Sequence, residues 1–302
     1  MRSIFRALVV TPVAPVAFSA LLFLPFFVPP GAVAAECEDP KPLRFAQVPQ
    51  KKAEVLSLQF RPLYEHLERK LGRRVEVIQA SSYGAVVEGL LAGNIDIAEL
   101  GPGAYAMAMH RNANIVAFAS LSRQQGAKFD NYRSLLITRA NSRFTQIDDL
   151  RGATVSLTDP ASTSGALIPK KLVMDRFDLP PERFFKRVSY AGSHDRAIEA
   201  VQKAYVDAAF VTNTRVDEYI RRGLLKEGEL KVLWQSDPIP FDPFVYREAL
   251  CKPLTDKIRK AFLTDAEVLK PFFEELKRTG FAAVDDAHYR SIRELYATMP
   301  AE

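Results

Sequence analysis

From residue 43 onward, short apolar runs rich in β-branched residues alternate with longer stretches whose apolar positions recur at helical spacing. Residues 43–48 predict a strand. Residues 54–71 predict a helix, with Val55, Leu58, Leu63 and Leu67 near one face. A strand at 75–80, a helix near 83–92, a strand at 95–100, a turn at Gly101-Pro102-Gly103 and a helix to about His110 continue the alternation. After Arg151-Gly152 the pattern restarts, with a strand at 153–157, a polar loop at 158–164 and a helix at 165–176. A strand near 185–190, a helix at 193–205 and strands at 207–211 and 231–235 follow. Such alternation builds mostly parallel sheets with helices on both faces, an α/β class.

Two βα blocks in one chain predict two lobes, each with its own sheet. Residues 254–299 read as helices with no strand, so they are expected to pack on the first lobe. The chain then crosses between lobes twice, near 132–137 and near 236–243, and Pro238, Pro240 and Pro243 stiffen the second crossing. The expected division is 1–34 as an exported leader, 35–135 with 243–302 as lobe 1, and 136–242 as lobe 2. No repeat of 20 to 50 residues and no low-complexity tract argues for a solenoid or an array.

The leader sets the compartment. Arg2 and Arg6 precede an apolar stretch over 7–28, then Pro29-Pro30-Gly31 and the small-x-small pattern Ala32-Val33-Ala34. This is the layout of a cleaved secretory signal peptide, and Pro12, Pro15 and Pro25 weaken a membrane-spanning helix in its place. Glu36 stands where a lipoprotein signal ahead of Cys37 needs a small residue, so a soluble protein exported to the periplasm is expected. Cys37 and Cys251 are the only cysteines, and an oxidising compartment allows a disulfide between them. Two unpaired thiols remain the alternative, because spacing in sequence does not give spacing in space.

With 48% hydrophobic and 25% charged residues, the chain of 302 residues has the composition of a folded body, which excludes wholesale disorder. The 41 Lys+Arg and 36 Asp+Glu give +5; without Arg2 and Arg6 the balance is 39 minus 36, or +3. No basic block interleaved with aromatics and no groove-reading motif accompanies it, so no nucleic-acid partner is expected.

Candidate chemistry concentrates in Asp159-Pro160-Ala161-Ser162-Thr163-Ser164-Gly165, a strand-to-helix loop with three consecutive hydroxyl residues. A helix start leaves amides unpaired and carries the positive dipole end, so hydroxyls placed there complete an anion pocket. Capping alone explains one of the three. Gly192-Ser193-His194 repeats the arrangement one βα unit later, and His194 can donate to an anion or, if cationic, add charge complementarity. Both loops follow strands of one sheet, and strand ends of that kind form the ligand crevice of open α/β folds. His66, His110, His194 and His288 show no metal-ligand spacing, and no Walker loop, G-x-G-x-x-G or G-x-S-x-G occurs, so neither metal nor cofactor is expected. A nucleophilic pairing of Ser162 or Ser164 with His194 lacks an orienting acid, which argues against an enzyme.

The chain resembles the periplasmic substrate-binding proteins of phosphate, phosphite and phosphonate ABC importers. The resemblance is carried by 159–165, by Gly192-Ser193-His194 with Val206-Asp207-Ala208-Ala209, and by 232–236 running into Ile239-Pro240-Phe241-Asp242-Pro243; 95–102 with Tyr105 is a weaker match. It implies a two-lobed periplasmic-binding-protein fold of the type II kind, closing on a small phosphorus oxyanion held by Ser162, Thr163, Ser164 and His194. It further implies that Tyr83 and Tyr132 supply hydroxyls to the same oxygens, and that Asp242 occupies the acidic position which helps hold the ammonium of aminoalkylphosphonates. Thr212-Asn213-Thr214-Arg215 departs from that pattern by lacking the second carboxylate, which disfavours an amino-bearing ligand; Asn213 is then a candidate pocket residue. The implied role is import of phosphonate, phosphite or phosphate by a monomer that partners a membrane permease. A periplasmic anion sensor signalling to a membrane protein is the alternative.

Overall fold

A computed structural model describes residues 37–123 and 130–300, so the expected signal peptide lies outside the described residues. Along the first block run β1 (Leu43–Gln47), α1 (Ala53–Leu71), β2 (Val75–Ile78), α2 (Tyr83–Leu91), β3 (Ile97–Glu99), α3 (Pro102–His110) and β4 (Ile115–Ser122). After β5 (Asn131–Tyr132) the second block holds β6 (Ser134–Arg139), β7 (Thr154–Leu157), α4 (Ile168–Phe177), α5 (Pro181–Phe184) and β8 (Arg187–Tyr190). It continues through α6 (His194–Gln202), β9 (Ala208–Thr212), α7 (Asn213–Arg221) and β10 (Leu230–Gln235). The return leg comprises β11 (Ile239–Pro240), β12 (Pro243–Arg247), α8 (Lys252–Leu263), α9 (Lys270–Glu275), β13 (Gly280–Ala283) and α10 (Arg290–Ala297).

Two sheets result, ordered β13-β4-β12-β3-β1-β2 and β10-β6-β9-β7-β8, so the two-lobed α/β architecture expected from the sequence is the one observed. Each sheet has an apolar cluster on either face. Phe60, Leu63, Phe262 and Phe272 pack on one side of the first sheet, and Val86, Val87, Leu90 and Tyr105 on the other. Val173 and Phe184 lie opposite Ile198, Val201 and Tyr219 across the second. In α1 the buried stripe only partly follows the predicted face: Leu63 and Leu67 are buried together with Phe60, whereas Leu58 is exposed and Val55 half-buried, because packing on the sheet selects the covered face.

Strand directions are more mixed than repeated βα units predict. β1 pairs in parallel with β2 and β3, and β7 with β8 and β9, whereas β12 and β6 run antiparallel to both of their neighbours. The reason is the path of the chain: β6 and β12 each enter a sheet from the crossover end, opposite to strands that arrive from a helix. The C-terminal third also supplies a strand where none was expected. β13 is four residues long and begins with glycine, too brief for a period of two to show, and it exists because β4 offers it an edge, with Ala282 opposite Ser120.

The two crossings pair with each other. Ile239 of β11 lies opposite Tyr132 of β5, and the Phe241 amide donates to the Asp130 carbonyl at 2.9 Å. The first crossing is shorter than expected, since the second sheet already begins at Ser134. Asn213 belongs to this region: its Oδ1 accepts from the Arg133 amide at 2.8 Å and its own amide donates to the Arg133 carbonyl at 3.0 Å.

Cys37 and Cys251 are disulfide-bonded across 214 residues of chain. The Cys251 amide donates to the Glu38 carbonyl at 2.8 Å, and Arg247 joins Glu38 to the buried Asp96, so the start of the described chain is tied to the first sheet at several points. Closing so long a loop restrains the unfolded chain by about 2–5 kcal/mol. Reduction is expected to lower the melting temperature by roughly 5–15 °C, as followed by calorimetry with and without reductant. An unchanged melting point would show that the bond adds no stability.

Candidate ligand-binding site

Three loops of the second lobe converge. β7 ends at Leu157 and leads into a π-helical turn, Thr163–Leu167, ahead of α4, with Ser162 as its cap: Ser162 Oγ accepts from the Gly165 amide at 3.1 Å. Only glycine fits at 165, because a Cβ there would stand 2.2 Å from Thr158 Oγ1. β8 leads to Ser193, whose Oγ caps α6 by accepting from the Arg196 amide at 3.2 Å and sets His194 at the helix start. β9 ends at Thr212. From the first lobe, the loop after β1 brings Gln50, the start of α2 brings Tyr83, and the loop after β3 brings Gly101. Asp242 sits at the entry to β12, where Ser120 Oγ donates to its carbonyl at 2.9 Å.

These groups enclose a cavity of about 20 Å³ between the lobes. All seven predicted ligand residues line it: Tyr83, Tyr132, Ser162, Thr163, Ser164, His194 and Asp242. All are buried. Gln50, Gly101, Thr212, Thr214 and Phe241 complete the lining, and no lysine or arginine is among them. Asn213 does not line it; strand β9 runs on through Thr212, and the Asn213 side chain turns to the Arg133 amide instead.

Contacts already bridge the lobes around the cavity. The Gly103 amide donates to Thr163 Oγ1 at 2.6 Å, and the Tyr83 amide donates to Asp159 Oδ2 at 3.2 Å. The Tyr83 hydroxyl is buried, with no hydrogen-bond partner among the described residues. Buried polar groups are almost always paired, so this hydroxyl, with the Ser162 side chain beside it, is a candidate donor to a guest in the cavity. Burial, with the charge of Asp242 adding to it, pushes the phenols of Tyr83 and Tyr132 well above the ordinary tyrosine range, so both remain donors.

Of the two forms left open for His194, the neutral one is favoured here. Burial, with Arg215 nearby, pushes its pKa down to about 3. The Thr212 amide donates to Nδ1 at 3.3 Å, and the Thr158 hydroxyl lies 3.0 Å from the same nitrogen. A bare Nδ1 leaves the ring proton on Nε2, where the imidazole acts as a neutral donor.

Asp242 accepts from Gln50 Nε2 at 2.6 Å, yet burial and then the charge of Glu99 push its pKa up to about 8. A carboxyl whose folded pKa lies above its unfolded value of 3.8 contributes stability that is complete below about pH 4 and lost as pH rises through about 8. Asp242→Asn is therefore expected to match the parent melting temperature at about pH 3.5 and to exceed it increasingly from about pH 4 to about pH 8, where the difference levels off, in ligand-free buffer. A constant difference across that range would show that Asp242 is ionised throughout.

The family model described as ABC transporter, phosphonate, periplasmic substrate-binding protein matches residues 45–289, a stretch that includes both sheets and both crossings. The chain belongs to this family. Relatives agree in length as well as sequence. The phosphate-import protein PhnD of Mycolicibacterium smegmatis is 32% identical over 276 residues, covering 85% of each chain. The phosphonates-binding periplasmic protein of Escherichia coli is 30% identical over 289 residues, covering 94% of this chain and 83% of that one. Among solved structures, a binding protein component of an ABC phosphonate transporter from Pseudomonas aeruginosa is 28% identical with a TM-score of 0.76, covering 84% of each chain.

Within this family frame, Gln50, Gly101, Thr212, Thr214 and Phe241 are the lining residues that sequence reasoning missed. Gln50 carried one usable signal, its place just past the end of β1, where a βα loop meets the crevice. Glu99 was missed too. It supplies a carboxylate near Asp242 from β3 of the first lobe, not from the segment after β9 where the absence of a second acid was noted.

Proposed function

We propose that the protein binds a small phosphorus oxyanion in the cavity between its lobes and delivers it, as a periplasmic monomer, to the membrane permease of an ABC importer. The observation that carries this reading is the lining itself: seven hydroxyl side chains and a neutral imidazole around a space that suits one tetrahedral headgroup, with no cationic side chain. Hydrogen bonds from neutral donors to an oxyanion are charge-assisted and roughly twice as strong as neutral ones, so a dianion is held without a full countercharge. Ser162, Thr163, Ser164 and His194 donate from the second lobe, and Tyr83 and Tyr132 from the first lobe and the crossing. Asp242, protonated at neutral pH by its surroundings, either donates to the ligand or accepts from a protonated ligand oxygen.

Closure follows from the same geometry. The paired crossings β5 and β11 are the only described ladder outside the two sheets, and they are the proposed hinge. Ligand bridging both lobes favours the closed form by its differential affinity for it. No bond is broken. The import roles of the relatives favour transport over sensing.

A thermal-shift panel at fixed ionic strength tests the reading, using phosphite, phosphate, methylphosphonate, 2-aminoethylphosphonate and sulfate. A phosphorus oxyanion at 100 times its dissociation constant is expected to add about 2.7 kcal/mol to stability, with sulfate adding far less. Equal shifts for sulfate, or none for any phosphorus compound, would overturn the assignment.

A further inference from the structure

A second chamber of about 330 Å³ adjoins the oxyanion cavity, and Gln50, Thr214, Phe241 and Asp242 line both. The smaller space has no room for a chain, so any substituent longer than a methyl group on phosphorus must extend past Asp242 into the larger one. Its walls include Lys51, Glu99 and Arg278. Lys51 is occupied: Nζ donates to Gln59 at 2.5 Å and pairs with Glu218 at 3.0 Å. Glu99 accepts from Gln47.

Arg278 is different. Its side chain is only 9% exposed, and its buried Nε has no hydrogen-bond partner among the described residues. Nη1 donates to the neighbouring Lys277 carbonyl at 3.1 Å, and the guanidinium lies 4.4 Å from the centre of the Phe241 ring. Its nearest carboxylate, Asp130, stands 3.8 Å away and is already gripped by Arg123 through two bonds of 2.6 and 2.7 Å. A guanidinium cannot shed its charge, and although Asp130, Asp242 and Glu99 all attract it, none of them is hydrogen-bonded to it, so its donor fork suits an anion brought by a ligand. A planar fork of donors matches a carboxylate in two-point contact.

We propose that this chamber receives the ligand's fourth substituent and that Arg278 recognises a carboxylate at its end, making the preferred ligand a carboxylated alkylphosphonate. The proposal rests on the oxyanion reading above. Isothermal titration with methylphosphonate, phosphonoacetate, 3-phosphonopropionate and 2-aminoethylphosphonate tests it on the unmodified protein. At least one carboxylated compound is expected to bind at least about tenfold tighter than methylphosphonate, the size of one hydrogen bond to a charged group. In Arg278→Gln and Arg278→Met that ratio is expected to fall to within about threefold of unity. If methylphosphonate binds and neither carboxylated compound binds better, or if 2-aminoethylphosphonate is preferred to both, the substituent proposal is overturned and the oxyanion site stands. If no phosphorus compound binds, the oxyanion reading falls and takes this one with it.

Discussion

Replacing Ser162, Thr163 and Ser164 together by alanine is expected to lower affinity for the cognate phosphorus oxyanion by at least about a thousandfold, since each hydrogen bond to a charged group contributes about 1.5–3 kcal/mol. The ligand loses three hydroxyl donors from one short turn. Part of the cost falls on the protein itself. Ser162 caps the turn, and its loss is expected to destabilise the unliganded form by about 1 kcal/mol. Thr163 accepts the Gly103 amide across the cleft, so its loss also leaves that amide unpaired when the lobes are together. Titration calorimetry gives the affinity, and melting of the unliganded variant shows that it folds. Binding within about threefold of the parent protein would remove these residues from the site.

Gly103→Val is expected to weaken binding by another route, by keeping the lobes apart. A Cβ at 103 would lie 2.9 Å from the Ala161 carbonyl oxygen and 3.1 Å from the Thr163 amide nitrogen, both backbone atoms of the opposite lobe. Backbone cannot turn aside as the end of a flexible side chain can. Forcing that contact costs about 1–3 kcal/mol, which reduces affinity roughly 10- to 100-fold if the bound form is the closed one. The first turn of α3 tolerates the substitution by itself, because glycine is a poor helix former and its replacement favours the helix slightly. The unliganded melting temperature is therefore expected to hold or rise, while small-angle scattering shows no contraction on adding ligand. Parent-like affinity together with normal contraction would mean that α3 and the turn at 163 do not meet in the bound form.

Recognition of the site from sequence depended on residues whose meaning is local. The hydroxyl run at 162–164 and the Ser193-His194 pair announce themselves because each follows a strand and opens a helix within a few positions, and the capping bonds observed are the ones those residue types make. The charge state of His194 was not legible in that way. It follows from complete burial and the nearby Arg215, neither of which a short window of sequence contains.

What the chain alone determined, then, is the alternation of strand and helix, the two-block division, and the placing of polar groups at strand ends, because each of these is decided within about 20 residues by periodicity and capping. Tertiary structure decided the rest. Gln50 meets Asp242 across 192 positions, β13 finds an edge only beside β4, and Arg278 is left under-partnered because Arg123 reaches Asp130 first. Those outcomes depend on which distant segments the two crossings bring together, and pairing, burial and the resulting charge states are properties of that meeting and not of either segment.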